Sequence, residues 1–219
     1  MQLGKPGRVI ALLGAPGTGK SALSRGLSRA LRDASRRVAV VPEHRREFCD
    51  RLRRAPHPGE QRAIAIEQTR RIELAAGRHH VVLADTTALM TAVYSEHDFG
   101  DASLHDPARG DHARCMLTLV MGLDLPWRGD AWRRDGALRR EALDQRLRAA
   151  LDRAALPYAT IYGCGAQRLH AALAAVRRAL AEPACPSEAD EARDAGVPWR
   201  AHCERCGDAR CERLSLARG

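Results

Sequence analysis

Short apolar runs alternate with stretches of helical periodicity along most of the chain. Arg8-Val9-Ile10-Ala11-Leu12-Leu13 is nearly continuous in apolar character, as a strand buried on both faces requires. Ser21 to Leu31 follows, with Leu23, Leu27, Ala30 and Leu31 on one helical face. Val38 to Val41 reads as a second strand closed by Pro42, and Glu43 to Arg53 as a helix. Pro58 to Ala76 predicts a longer helix ending at Gly77, with Ile64, Glu67, Arg71 and Leu74 at helical spacing. His80 to Ala84 is a third strand running into Asp85, and Asp85-Thr86-Thr87 opens a further helix. The stretch from Ser95 to Gly110 is rich in Asp, His and Gly, the composition of an irregular segment. Cys115 to Met121 and Tyr158 to Tyr162 are the fourth and fifth strands, with a helix over Ala137 to Ala155 between them and a last helix over Ala166 to Leu180. This alternation predicts an α/β fold: a parallel five-stranded sheet flanked by helices.

The turn after the first strand holds the most specific signal. Gly14-Ala15-Pro16-Gly17-Thr18-Gly19-Lys20-Ser21 is a complete G-x-x-x-x-G-K-[ST] phosphate-binding loop between a strand and a helix. Of the 36 Lys and Arg residues only Lys5 and Lys20 are lysine, so abundance does not explain a lysine at this place. The glycines let successive N–H groups turn toward a phosphate, and the helix that starts at Ser21 and Ala22 adds its unpaired N–H groups and the positive end of its dipole. Lys20 brings a point charge to the β and γ phosphates of a triphosphate, and the Ser21 hydroxyl suits Mg²⁺. Residues 14–22 are therefore the expected ATP contacts, and the fold class narrows to a P-loop NTPase.

Two acids sit at strand tips. Asp85 ends the third strand, where such proteins hold magnesium, and ligands in open parallel sheets bind beyond the carboxyl ends of the strands. An Asp before a helix is also a favoured N-cap, so both duties stay open. Glu43 lies at the tip of the second strand, aimed either at the same crevice or, as a first-turn acid, at solvent. Between the fourth and fifth strands, Trp127, Arg128, Asp130, Trp132 and Arg133 lie close together. They read either as a flap bringing guanidinium groups onto phosphate or as a surface loop with solvated charges.

Taken in order, these pieces resemble the P-loop domain of NadR-type ribosylnicotinamide kinases and the related ATPases of NAD metabolism. Val41-Pro42-Glu43-His44-Arg45-Arg46-Glu47-Phe48 resembles that family's V-P-E-Y-x-R-E-Y segment, and Gln68 with Glu73 its Q-x-x-x-E helix. Ala84-Asp85-Thr86-Thr87 and Thr91 to Ser95 resemble the strand-tip D-T and the following T-A-x-x-S. Leu125-Pro126-Trp127 with Asp130 and Arg133 resembles the P-W-x-x-D-x-x-R lid, and Gly163 to Leu169 the G-x-x-x-x-R-L start of the last helix. The resemblance implies phosphoryl transfer from ATP to a small hydroxylated acceptor such as nicotinamide riboside. Lys20, Glu43, Asp85 and Arg133 are then the expected catalytic residues, Ser21 and Asp85 the magnesium ligands. Glu43, Arg46, Gln68, Asp85, Trp127 and Asp130 are the expected acceptor contacts. The GAPGTGKS form of the loop is shared with AAA-type ATPases, which keeps a second reading open: a regulatory ATP-binding module that switches conformation for a macromolecular partner.

Composition trims the remaining classes. The net charge is +9, yet the arginines are spread along helices and aromatics are only 4% of residues, too few for base-stacking platforms, so nucleic acid is an unlikely main partner. No run approaches the 18 apolar residues of a membrane span, and no signal-peptide core precedes the first strand, so a cytoplasmic location is expected. Oligomeric state is not encoded in any pattern here. The expected division is a P-loop domain over 1–181, a linker over 182–198 rich in Pro, Ser and charge, and a cysteine-rich tail over 199–219. In that tail Cys203, Cys206 and Cys211 form a C-x₂-C-x₄-C cluster that suits zinc, free thiols or a redox pair.

Overall fold

The computed structural model describes residues 6–34, 36–126 and 136–181. Its strands are β1 (Arg8–Leu13), β2 (Val38–Val41), β3 (Val81–Asp85), β4 (Leu117–Met121) and β5 (Ala159–Ile161). They pair in parallel throughout, in the order β2-β3-β1-β4-β5. The helices are α1 (Lys20–Asp33), α2 (His44–Leu52), α3 (Gln61–Ala76), α4 (Ala88–Phe99), α5 (His105–His112), α6 (Gly136–Arg153) and α7 (Gly165–Leu180). The compact unit they form ends at Leu180. No helix among the described residues is long and apolar enough to cross a membrane.

The period-two alternation of β1 builds the two halves of the core. Ile10 and Leu12 face Leu23, Leu27 and Leu31 of α1 and Ala172, Val176 and Leu180 of α7. Ala11 and Leu13 face the other way, onto Leu89, Met90 and Val93 of α4 and Leu143, Leu147 and Leu151 of α6. A central strand covered on both sides can carry no polar face, which is why its sequence is a continuous apolar run. From β1 the chain moves outward to β2, returns to β3 beside β1, then crosses β1 to reach β4. The connections after β1 and β3 lead to opposite sides of the sheet, a switch point at which open parallel sheets bind ligands beyond the carboxyl ends of their strands.

Two local expectations are corrected. The stretch over 95–110 is mostly helical: α4 runs to Phe99 and α5 covers His105–His112. Its polar residues are inter-helix partners; Asp98 is bonded by Arg139 of α6, and Glu96 pairs with Arg146 at 3.0 Å and with His105 at 2.8 Å. The helix expected from Pro58 begins as a 3₁₀ turn over Pro58–Glu60 and becomes α-helical at Gln61, because a proline opens a first turn without needing its missing N–H. Finally, α3 buries Gln61, Ile64, Ala65, Gln68 and Ile72, whereas Leu74 is exposed. Two glutamines, Gln61 and Gln68, sit on that buried face.

Candidate functional site

The phosphate loop sits at the carboxyl end of β1, and its conformation depends on glycine. Gly14 has φ 143° and a Cβ there would lie 3.0 Å from Met121 Cβ and 3.1 Å from Thr18 Oγ1. Gly19, the N-cap of α1, has φ 83°, and a Cβ on it would meet Leu125 Cδ1 at 3.1 Å. A side chain at either place meets both a backbone penalty and a steric one. The loop is closed by its own polar groups: Thr18 Oγ1 donates to Ala15 O at 2.7 Å, and Lys20 Nζ donates to Gly14 O at 2.8 Å and Ala15 O at 3.1 Å. Lys20 is buried, Ser21 half-buried, and Ala22 exposed.

The acids reach this loop through strand register. Asp85 is paired with Leu12, and Thr86 N donates to Leu12 O at 3.1 Å, so β3 delivers its carboxylate directly beside the loop's entry. The N-cap position of the helix that follows is Thr87, not Asp85, and its side chain makes no cap bond. Asp85 is 5% exposed, and its Oδ1 has no hydrogen-bond partner among the described residues. Thr86 between them has φ 89°, a rare conformation for a β-branched residue and one that surrounding contacts must impose. Part of that imposition comes from Gln68: its Nε2 donates to Thr86 O and Pro42 O, both at 3.3 Å, and its Oε1 accepts from His44 N at 2.8 Å. Gln68, expected among the acceptor contacts, cross-braces the tips of β2 and β3 with its carboxamide. Glu43 stands at the first of those tips as the N-cap of α2, its side chain making no cap bond and lying 4.0 Å from Arg46 Nε.

A third wall comes from beyond β4. Arg168 of α7 is buried and donates to Thr18 O at 2.5 Å, to Gly163 O at 2.8 Å and to Asp124 Oδ1 at 2.5 Å. Asp124 also accepts from Gly163 N at 2.5 Å. One guanidinium thus joins the phosphate loop to the loops that follow β4 and β5. Arg140 of α6 is buried as well, and donates from Nη1 to Leu125 O at 2.7 Å. Sequence reasoning did not single out Asp124 or Arg140, and it met Arg168 only as part of a helix-opening pattern. In a chain so rich in arginine nothing local marks which guanidinium points inward.

Electrostatics ties the parts together at Lys20. Burial pushes its ammonium below the ordinary lysine range, Glu43 and Asp85 act against that, and Arg46 and Arg140 add to it. Four charged side chains, from the N-cap and first turn of α2, from β3 and from α6, therefore act on one nitrogen at the mouth of the phosphate loop. Such a site has cations for a polyanion and carboxylates for a metal or a proton. No group of three or more His, Cys, Asp or Glu that could hold a metal exists among the described residues, so a cation at Asp85 would need oxygens from a bound phosphate. The expected contacts Trp127, Asp130 and Arg133 lie outside the described residues, as do Cys203, Cys206 and Cys211.

A parallel sheet carrying this loop on its central strand, with an acid at the tip of the neighbouring strand, defines a P-loop nucleotide-binding protein. Residues 9–168 match the family model of the AAA domain, and the chain belongs to that family. No curated protein matches the sequence. Among solved structures it is similar to NadR in complex with NAD and AMP-PNP, at 21% identity and TM-score 0.64, over 81% of this chain and 51% of that one. It is similar to NadR in complex with NR at 20% identity and TM-score 0.67, over 80% and 51%. Thymidylate kinase from Ehrlichia chaffeensis is similar at 14% identity and TM-score 0.55, over 80% of this chain and 100% of that one. At these identities the likeness is one of fold. The chain spans about half the length of the NadR structures it matches.

Proposed function

We propose that this protein transfers the terminal phosphoryl group of ATP to a small hydroxylated acceptor, with nicotinamide riboside as the first candidate. The observation that carries the reading is the placing of two carboxylates, Glu43 and Asp85, on separate strand tips around one buried lysine. A phosphoryl transfer needs both functions, one acid for the cation and one for the acceptor proton. The NadR structures, one with NR and one with NAD and AMP-PNP, support the choice of acceptor, and the thymidylate kinase fold supports the reaction class.

In this reading the amides of residues 14–22 and Lys20 hold the triphosphate, and Lys20 leaves the carbonyls of Gly14 and Ala15 for the β and γ phosphates. The unpartnered, buried Asp85 oxygen fits a divalent cation, which Ser21 and Asp85 would hold. Bound there, Mg²⁺ supplies neutralisation of phosphate charge. Glu43 takes the proton of the acceptor hydroxyl while the hydroxyl oxygen bonds to the γ phosphorus, the bond from that phosphorus to the β–γ bridging oxygen breaks, and ADP leaves. Arg46 lies at the rim for the acceptor, and Gln68 acts on it only by bracing both strand tips. Trp127 and Asp130 keep the acceptor role, and Arg133 the γ-phosphate role, that the family resemblance gives them.

A second reading draws on the AAA family match: an ATPase module whose hydrolysis switches conformation for a macromolecular partner. One assay separates them. ATP consumption measured against a panel of nucleosides, nicotinamide riboside included, should rise well above the basal rate with the true acceptor. Basal hydrolysis that ignores every nucleoside and responds to a protein partner would overturn the kinase reading.

A further inference from the structure

Arg140 stands in the first turns of α6, directly after the segment expected to form the flap, and is only 6% exposed. A buried guanidinium normally answers all its donors with carboxylates or carbonyls. Arg140 answers few. Nη1 donates to Leu125 O at 2.7 Å, Nε and Nη2 are buried without hydrogen-bond partners, and no carboxylate is within ion-pair distance among the described residues. Asp144, one turn further along α6, is instead paired with Arg148 at 2.7 Å. A permanently charged group in this state carries a desolvation penalty that no ion pair among the described residues offsets.

Its location says what would offset it. Leu125, whose carbonyl Arg140 holds, packs its Cδ1 3.1 Å from where a Gly19 Cβ would be, which sets Arg140 behind the residue next to Lys20. Its charge is also felt at the Lys20 ammonium, so the two cations stand within electrostatic reach of each other. The anions that this end of the loop would bring near them are the outer phosphates of a nucleotide. We propose that Arg140 is a resident guanidinium for the terminal phosphoryl group, in place before any flap closes. The proposal rests on the triphosphate reading of the phosphate loop but not on the identity of the acceptor. A guanidinium offers two donors to a phosphoryl group and charge that no proton loss can remove, which suits a group whose negative charge spreads over its outer oxygens during transfer.

The test compares a triphosphate with a diphosphate on the full chain. AMP-PNP and ADP are titrated calorimetrically into wild type, Arg140→Met and Arg140→Lys, and the melting temperature of each nucleotide-free protein is recorded. Arg140→Met should weaken AMP-PNP by about ten- to a hundred-fold and ADP by less than about two-fold, with Arg140→Lys between. Without nucleotide, Arg140→Met should melt no lower than wild type, because an unpaired buried charge has been exchanged for apolar volume. Equal weakening of both nucleotides would mean that Arg140 only props the Leu125 loop, and no change in either would mean that it faces no phosphate; both overturn the proposal. A wild-type chain that binds neither nucleotide removes the triphosphate reading together with it. Silence toward every nucleoside in the panel removes only the kinase reading.

Discussion

Two buried polar clusters lie in this domain, and they are opposite in kind. His112 of α5 bonds Thr87 through Nδ1 and Thr118 through Nε2, both at 2.9 Å, which joins α4, α5 and β4 with each ring nitrogen used. Burial pushes its pKa down to about 4, so the ring is neutral at physiological pH. The crevice at the phosphate loop collects Lys20, Asp85 and Arg140, all buried and charged, and leaves Asp85 Oδ1 and two Arg140 nitrogens without partners. A satisfied neutral network holds a fold together, whereas charges left unanswered mark a place prepared for something else. The contrast predicts that changes in the first cluster act on stability and changes in the second on binding and turnover.

The largest expected effect is at Lys20. Lys20→Ala should lower turnover by about a thousand-fold, roughly 4 kcal/mol in the transition state. The melting temperature should hardly move, because the ammonium bonds only carbonyls of its own loop. A variant of unchanged activity and unchanged circular dichroism would end the phosphate-loop assignment.

Next come the two acids, where the substitutions keep shape and remove charge. Glu43→Gln should lower kcat about a hundred-fold with ATP affinity nearly constant, as loss of a proton acceptor does. Asp85→Asn should raise the magnesium concentration needed for half-maximal rate. A normal magnesium titration in Asp85→Asn would leave that residue without the metal role proposed for it.

Smaller effects belong to the neutral cluster. His112→Leu leaves two buried threonine hydroxyls without their partner and should cost about 2 kcal/mol of unfolding free energy, read from denaturant midpoints. Nucleotide affinity should stay at the wild-type value. A large loss of affinity with intact stability would break the contrast between the clusters.

The smallest effect is a pH dependence. The folded pKa of His112 is depressed to about 4 from an ordinary 6.5, so between those values the unfolded chain binds a proton that the folded chain refuses. This contribution is fully present above pH 6.5 and falls as pH drops toward 4; between pH 7 and pH 5.5 it amounts to about 1 kcal/mol. Comparing His112→Gln with wild type over that range isolates it. Identical slopes would mean that the proton uptake on unfolding lies elsewhere.

The strands and the phosphate loop were legible because their signals are local. A buried central strand must be apolar at every position, so β1 shows as a run, and β2 is read at its observed limits. The loop shows because glycine at three fixed positions and lysine at a fourth answer a backbone requirement that does not depend on the rest of the chain. The helical end of α4 and the whole of α5 did not show, since the polar residues there face other helices across ion pairs that only packing creates. Gln68 was noticed through a family pattern, but its bracing role depends on carbonyls of residues 42 and 86 that come near it only in the folded sheet.

By itself, then, the sequence determined that this protein has a parallel α/β core, that a glycine loop with Lys20 follows its first strand, and that Asp85 ends one strand while Glu43 stands just beyond another. Those properties follow from apolar runs, glycine and chain order. Only tertiary structure decided which side chains share the crevice. The strand order puts β3 beside β1, so that Asp85 meets the loop, and packing aims Arg140 and Arg168 inward. A guanidinium has the same composition whether it points to solvent or to a phosphate; burial and the absence of a carboxylate partner tell the two apart, and both are properties of the fold.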